Sequence, residues 1–213
     1  LIVNYNVNED VMVYGSFARG YSSGGMNGDI RMKKFLPEIS DNWEVGMKSR
    51  FLDNTLQLNM NVFATDYENQ QITVSRLVQG QPTADIINAQ KASLRGFEMD
   101  FQWTPVDNLY LTGSFGYLDG EYDEFSLVDV VGYDVLTQET QTQLTDYSHL
   151  EFVGGSPSNW SLHAAYEIPM DGGATFTAMA GWSHRGRIYS TLQLHETSKQ
   201  DAYGLLDARF TWD

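Results

Sequence analysis

Alternate residues of an extended strand point to the same face, so Glu98 and Asp100 bring two carboxylates side by side. Such a pair can divide acid and base roles when one member is held protonated. The same spacing groups Glu44, Lys48 and Arg50 on one face and sets Asp207 beside Arg209. A hydrophilic channel wall accounts for all three sets more simply than catalysis does. The four histidines, His149, His163, His184 and His195, are not spaced as metal ligands for one another. The absence of cysteine removes disulfides, thiol catalysis and thiolate-bound zinc. Asp119, Glu121, Asp123, Glu124, Asp129 and Asp134 offer hard oxygen ligands of the kind calcium takes, but without EF-hand spacing, and they read as a solvated loop. Gly24-Gly25 is followed by neither Lys-Ser/Thr nor a helix start, so it is no phosphate loop. No enzyme activity, cofactor or metal is expected.

The elements that carry these residues alternate polar and apolar side chains. Between Trp43 and Phe51, Trp43, Val45, Met47 and Phe51 form one row, with Ser49 the exception, and Glu44, Gly46, Lys48 and Arg50 the other. The spacing predicts strands over 11–21, 43–52, 55–67, 92–104, 109–118, 159–168, 174–185 and 203–212, after a strand tail at 1–5. Short turns fall at 53–54, 105–108 and 169–173. Long connections fall at 22–42, 68–90, 119–157 and 187–201, the second of them a loop or a strand extension. Strands of about ten residues with short turns at one end and long loops at the other are the plan of a transmembrane β-barrel, apolar rows toward lipid and polar rows toward the lumen. Phe51, Trp103, Tyr166 and Trp212 fall at the short-turn ends of the apolar rows, and Trp43, Tyr117, Trp160 and Trp182 near the long-loop ends. Two such belts suit the two headgroup levels of a bilayer. The competing architecture is a soluble sandwich or propeller, with the apolar rows in a core.

Composition narrows the class. The chain has 213 residues, of which 13% are aromatic, with 19 Gly, 5 Pro and a net charge of −15. Its mean hydropathy is −0.35, and no long apolar run marks a helical membrane span. Such an acidic chain has no basic stripe for nucleic acid and no polybasic patch for an anionic membrane surface. Leu1 and Asp213 read as cut ends, so a fragment of a longer polypeptide is expected.

Four blocks in succession resemble TonB-dependent outer-membrane receptors: Tyr14 to Asn27 (YGSFARGYSSGGMN), Leu36-Pro37-Glu38 with the strand from Trp43, Asn61 to Gln71 (NVFATDYENQQ), and Asn88 to Ala92 leading to Gly96-Phe97-Glu98. They span about the first half of the chain; the second half matches in strand rhythm alone. The resemblance implies eight or nine strands of a barrel of about 22, filled by an N-terminal plug domain that this chain lacks. It implies a place in the bacterial outer membrane and import of a scarce solute with energy relayed by the TonB complex. The expected partners are outer-membrane lipid, the plug, TonB through a missing N-terminal segment, and a small-molecule or metal-chelate ligand. A ferric siderophore or similar iron complex is the first candidate ligand. A passive porin and an outer-membrane enzyme are the alternatives, with an adhesin behind them. Arg19, Tyr21, Arg185, Arg187 and Tyr189 fall near the outer mouth and suit an anionic, oxygen-rich ligand; His149, His184 and His195 fall at or near the outer loops. Glu44, Lys48, Arg50, Glu98, Asp100, Asp207 and Arg209 are expected to face the lumen and meet the plug.

Overall fold

The computed structural model describes residues 1–28, 34–78, 81–134, 139–192 and 196–213, without the side chains of 75–78, 81–83, 128–134, 139–142 and 196. Nine strands form one antiparallel sheet in chain order: β1 (Ile2–Asn6), β2 (Val11–Ser22), β3 (Glu38–Phe51), β4 (Leu56–Val78), β5 (Gln81–Val106), β6 (Leu109–Glu124), β7 (Ser158–Pro169), β8 (Thr175–Arg185) and β9 (Tyr203–Trp212). Every neighbouring pair is a meander connection, and the sheet does not close on itself. Among the described residues no helix is long and apolar enough to cross a membrane.

Local chemistry fixes the short turns. Leu52, Asp53 and Asn54 take φ of 54°, 55° and 68°, which a short polar side chain tolerates at Asp53 and Asn54. Asn108 does the same at φ 65°, and Gly172 and Gly173 at 86° and 87°. Between β1 and β2, the Asn8 side-chain oxygen accepts hydrogen bonds from the backbone N–H groups of Asp10 and Val11, both at 2.8 Å, forming an Asx turn.

The register carries the two faces across the sheet, and the β5–β6 ladder shifts only near its two ends, at Lys91/Ala92 and at Trp103/Val106. Val13, Met47, Met60, Met99 and Phe115 stand in one row, and Trp160 continues it beside Phe115. Trp43, Val45, Leu206, Phe210 and Trp212 are 59–73% exposed, so the apolar row has no second layer packed on it. The polar row lines a cavity that includes both Tyr14 of β2 and Tyr203 of β9. Residues so far apart in strand order share a cavity only if the sheet curves, with its polar face inward.

The long connections carry more strand than loop. β4 and β5 run 23 and 26 residues and stay paired from Leu56↔Trp103 to Val78↔Gln81, so of the two alternatives for this stretch the described residues, 68–78 and 81–90, take the strand extension. A membrane strand needs about 9–11 residues, and more than half of this hairpin stands beyond that span. β3 starts at Glu38 and β6 continues to Glu124. Within 119–157, Ser126–Asp134 and Glu139–Asp146 pair as a separate ribbon.

Among the described residues the buried apolar core lies at this long-loop end and nowhere else. Ala89, Ala92, Tyr122, Phe125, Tyr147 and Leu192 are its fully covered members. They come from the hairpin, from β6, from the 119–157 connection and from the 187–201 connection, so three long connections share one core. Phe152 folds back over the polar face at Gly120, its ring 4.9 Å from that of Tyr122. A second tie uses side-chain amides. Asn27 exchanges two hydrogen bonds with the backbone of Ile86, Asn88 two with Leu36, and Gln71 Nε2 donates to the carbonyls of Ser23 and Leu36. Glu38 accepts from the Gln71 N–H at 2.7 Å. The four sequence blocks singled out above therefore meet in one place.

Glycines facing aromatic rings lock the sheet further. A Cβ at Gly96 would stand 2.3 Å from Phe63 Cζ and 2.8 Å from the Tyr117 carbonyl oxygen. Gly46 lies under Tyr14 and Gly113 under Phe101 in the same way. Each ring covers a backbone that lacks its own side chain. Gly96→Ala is expected to cost about 1–3 kcal/mol through this overpacking, read by chemical denaturation of the refolded barrel; unchanged or increased stability would count against the interlock.

Burial also holds the Tyr122 phenol above the ordinary tyrosine range. The unfolded chain then ionises first, so this contribution is complete below about pH 10 and lost as pH climbs toward the folded value. Spectrophotometric tyrosine titration should lose its latest component in Tyr122→Phe, and the stability of that variant should fall less steeply above pH 10. An unchanged alkaline titration would contradict the buried placement.

Candidate functional site

The inner face of the curved sheet encloses a cavity of about 1180 Å³. One register row supplies Tyr14, Asn61, Glu98, Asn159, Arg185 and Tyr203, and the next supplies Lys48, Asn59, Asp100, Ser114, Ser161 and Ser183. Polar partners satisfy most of these groups in place. Tyr14 Oη donates to Glu44 Oε1 at 2.5 Å, with Lys48 Nζ 6.0 Å from the Tyr14 ring centroid. Asn59 Nδ2 donates to Asp100 at 2.9 Å and Asn61 Nδ2 to Glu98 at 3.3 Å. The hydroxyls of Ser114 and Ser161 bond at 2.8 Å. The carboxylates thus sit beside amides, each bonded across to the neighbouring strand. The arrangement is that of a polar wall.

The segment 150–157 forms the upper lip of the cavity. Phe152 N–H donates to the Gly120 carbonyl at 3.0 Å, Leu118 N–H to Pro157 at 3.0 Å, and Gly154 N–H to Tyr189 at 2.8 Å. Gly154 takes φ 79°, and Gly154, Gly155 and Ser156 line the cavity. Arg187 bonds Glu151 and lies 5.8 Å over the Tyr189 ring. That clasp joins the 119–157 and 187–201 connections.

The expected site residues divide between the two faces. Glu44, Lys48, Arg50, Glu98, Asp100, Asp207 and Arg209 all occupy inner-face positions of their strands. Asp207 and Arg209 form no ion pair; Asp207 leans toward Gly181 instead. Arg185 is on the cavity wall, and no carboxylate among the described residues pairs with it. Arg187 and Tyr189 belong to the clasp. Arg19 and Tyr21 sit at the same end but on the outward row, in line with Val13 and Phe17. Arg19 is held by Asp41 through Nε–Oδ1 at 2.6 Å and Nη2–Oδ2 at 2.5 Å. These two do not reach the cavity, because alternation along β2 turns every odd residue outward.

His184 also faces outward and stacks on Trp160, ring centroids 5.5 Å apart. His149 lies 4.0 Å from Glu121 on the outer connection. His195 lies outside the described residues, as do the side chains of Asp129 and Asp134. Of the acidic stretch, Glu124 pairs with Lys91 at 2.5 Å and Asp123 accepts from Ser93 at 3.2 Å. The described residues hold no cluster of three or more His, Cys, Asp or Glu side chains fit for a metal ion. Sequence reasoning passed over Tyr14, Asn159, Tyr203 and the Gly154–Ser156 lip. Parity alone marks the first three, since each falls in a polar row; nothing local marks the lip.

A sheet of this rhythm, with an exposed apolar face, a hydrated inner face and all its dry core beyond one rim, is a wall segment of a membrane β-barrel. The family model described as TonB dependent receptor-like, beta-barrel, matches residues 1–213, and the chain belongs to that family. It is part of a β-barrel of the outer membrane of Gram-negative bacteria. It is 27% identical over 128 residues to a probable TonB-dependent siderophore receptor, PiuA, of Acinetobacter baumannii, covering 56% of this chain and 16% of that one. Its fold matches the ferric yersiniabactin uptake receptor FyuA of Yersinia pestis with a TM-score of 0.73 at 19% identity, covering 99% of this chain and 29% of FyuA. It matches the ferric preacinetobactin receptor BauA of Acinetobacter baumannii with a TM-score of 0.70 at 17% identity, over 99% of this chain and 28% of BauA. The chain therefore spans under a third of the length of these proteins.

The clasp and the core are separable. Glu151 and Arg187 are each about half exposed, 50% and 47%, so Glu151→Gln should cost under about 1 kcal/mol. Phe125→Ala removes a ring that is 1% exposed and should cost about 3–5 kcal/mol. Hydrogen exchange across 119–157 distinguishes the two; equal loss of protection would contradict a core-held lip.

Proposed function

We propose that this chain forms the wall and part of the outer mouth of a receptor that imports an anionic metal chelate, a ferric siderophore or similar iron complex, with energy relayed by TonB. The observation that carries this reading is Arg185. It is a cation on the cavity wall, without a carboxylate partner, beside Tyr203 and Asn159 and below the Gly154–Ser156 lip. A guanidinium held that way suits an anionic, oxygen-rich ligand. The names of PiuA, FyuA and BauA, each a siderophore or ferric-complex receptor, support it. Arg187 and Tyr189 act behind Arg185 by holding the lip in place. Arg19 and Tyr21, turned outward, border the outer-leaflet headgroups and fall out of the ligand set.

The inner-face charges meet a plug domain supplied elsewhere in the full-length protein. Glu44, Lys48, Arg50, Glu98, Asp100, Asp207 and Arg209 present both signs along the wall, which suits a hydrated, reversible contact better than a permanent core. No reaction is catalysed; the work is binding and passage.

In the full-length receptor, Arg185→Ala should weaken binding of the transported iron complex by about 1.5–3 kcal/mol, the worth of a hydrogen bond to a charged group, with barrel folding unchanged. Equilibrium binding and uptake into cells measure it. Unchanged affinity and uptake in the Arg185→Ala, Arg187→Ala double variant would remove the ligand assignment, and uptake that persists without TonB would remove the energised mechanism.

A further inference from the structure

His163, Gly181 and Asp207 stand in one register row on β7, β8 and β9, on the inner face and nearer the short turns than the cavity rows are. Backbones two strands apart are separated by about 10 Å, and a side chain on the middle strand ordinarily fills the gap. Here the middle residue is glycine, and both neighbours lean into the space it leaves. A Cβ at position 181 would stand 2.4 Å from His163 Nδ1 and 2.6 Å from Asp207 Oδ1. An imidazole nitrogen and a carboxylate oxygen thus face each other over bare backbone, and no hydrogen bond or ion pair joins them.

Two more residues frame this notch. Met179 and Ser183 lie two positions either side of Gly181 and share its face. Arg209 is the register partner of Met179 and shares the same face. Imidazole nitrogen and carboxylate oxygen bind copper(II) ahead of the other first-row divalent ions by the order of stabilities, and a thioether on the same face suits copper in its reduced state as well.

We propose that this notch binds a copper ion on the inner wall of the barrel. His163 Nδ1 and Asp207 Oδ1 are its protein ligands, Met179 is placed to add sulfur, and water completes the shell. Two firm ligands make a labile site, open toward the lumen. The inference does not depend on which chelate the receptor imports.

The test uses the full-length receptor in detergent, titrated with Cu²⁺ alone and followed by calorimetry and electron paramagnetic resonance. Retained heat-modifiable electrophoretic mobility certifies that each variant is folded. The parent should show one copper with imidazole nitrogen coordination that is missing in His163→Gln. Asp207→Asn removes a direct ligand and should weaken that copper by at least the roughly tenfold that loss of a mere outer partner of a metal ligand costs. Gly181→Ala keeps every donor but fills the notch, and should abolish the same signal. His149, His184 and His195 can take up copper on their own, so the difference between parent and variant is what counts. Copper that binds equally in His163→Gln or in Gly181→Ala would overturn the proposal, since it would then sit at the other histidines.

Discussion

The structure depends on a period of two held in register across nine strands, with shifts only near the ends of the β5–β6 ladder. Each strand puts one row toward lipid and the other toward water, and a shift of one residue at any strand would exchange them. Hydrogen bonds alone do not set that register, because a slipped ladder bonds nearly as well. Side chains set it: the row from Val13 through Met47, Met60 and Met99 to Phe115 on one face, and the Asn59–Asp100 and Asn61–Glu98 pairs on the other. The rings laid across Gly46, Gly96 and Gly113 add position-specific stops. A backbone in hydrocarbon must satisfy its polar groups within the sheet, so the register decides which atoms meet lipid and whether the strands can lie in it.

The one dry core of the described residues sits outside the region that strands alone can span. Inside the bilayer a barrel wall needs no core of its own, because lipid covers one face and water or a plug the other. Beyond the bilayer that arrangement ends, and the extended hairpin of β4 and β5 must find cover. It finds it in Phe125, Tyr147 and Leu192 on one side and in the amide ties of Asn27, Gln71 and Asn88 on the other. The lip that borders the cavity is anchored in this core through Phe152 and Tyr122. The mouth is therefore shaped by packing, and its charged residues are set on a fixed frame.

Much of this was legible in the residues. The alternation located the membrane part of the strands, and the sorting of short and long connections located the two ends. The hairpin extension was only half legible: Ile72 and Val74 keep the beat, but the polar run Glu68 to Gln71 interrupts it, which left 68–90 open between a loop and a strand extension. Its pairing is supported by partners distant in sequence. The inner-face charges followed from parity, since Lys48 alternates with Met47 and Glu98 with Phe97. Arg19 and Tyr21 show the cost of reading depth without parity. Val13 and Phe17 already fix the odd positions of β2 as outward, which sends both residues to the outer surface. Gly181 gave no local signal at all; only the joining of three strands shows that it opens a space between His163 and Asp207.

The central claim is the orientation of the two rows, and the absence of cysteine from the chain makes it directly testable. Single cysteines carrying a nitroxide label would be placed at Val45, Val62 and Leu206 on one row and at Asn61, Ser161 and Ser183 on the other, in the full-length receptor in lipid. Collision with oxygen, which concentrates in hydrocarbon, and with a water-soluble nickel chelate then reports the surroundings of each. The account predicts high oxygen and low nickel accessibility for the first set, and the reverse for the second. Low accessibility to both reagents throughout the first set would place those residues in a packed protein interior and contradict it.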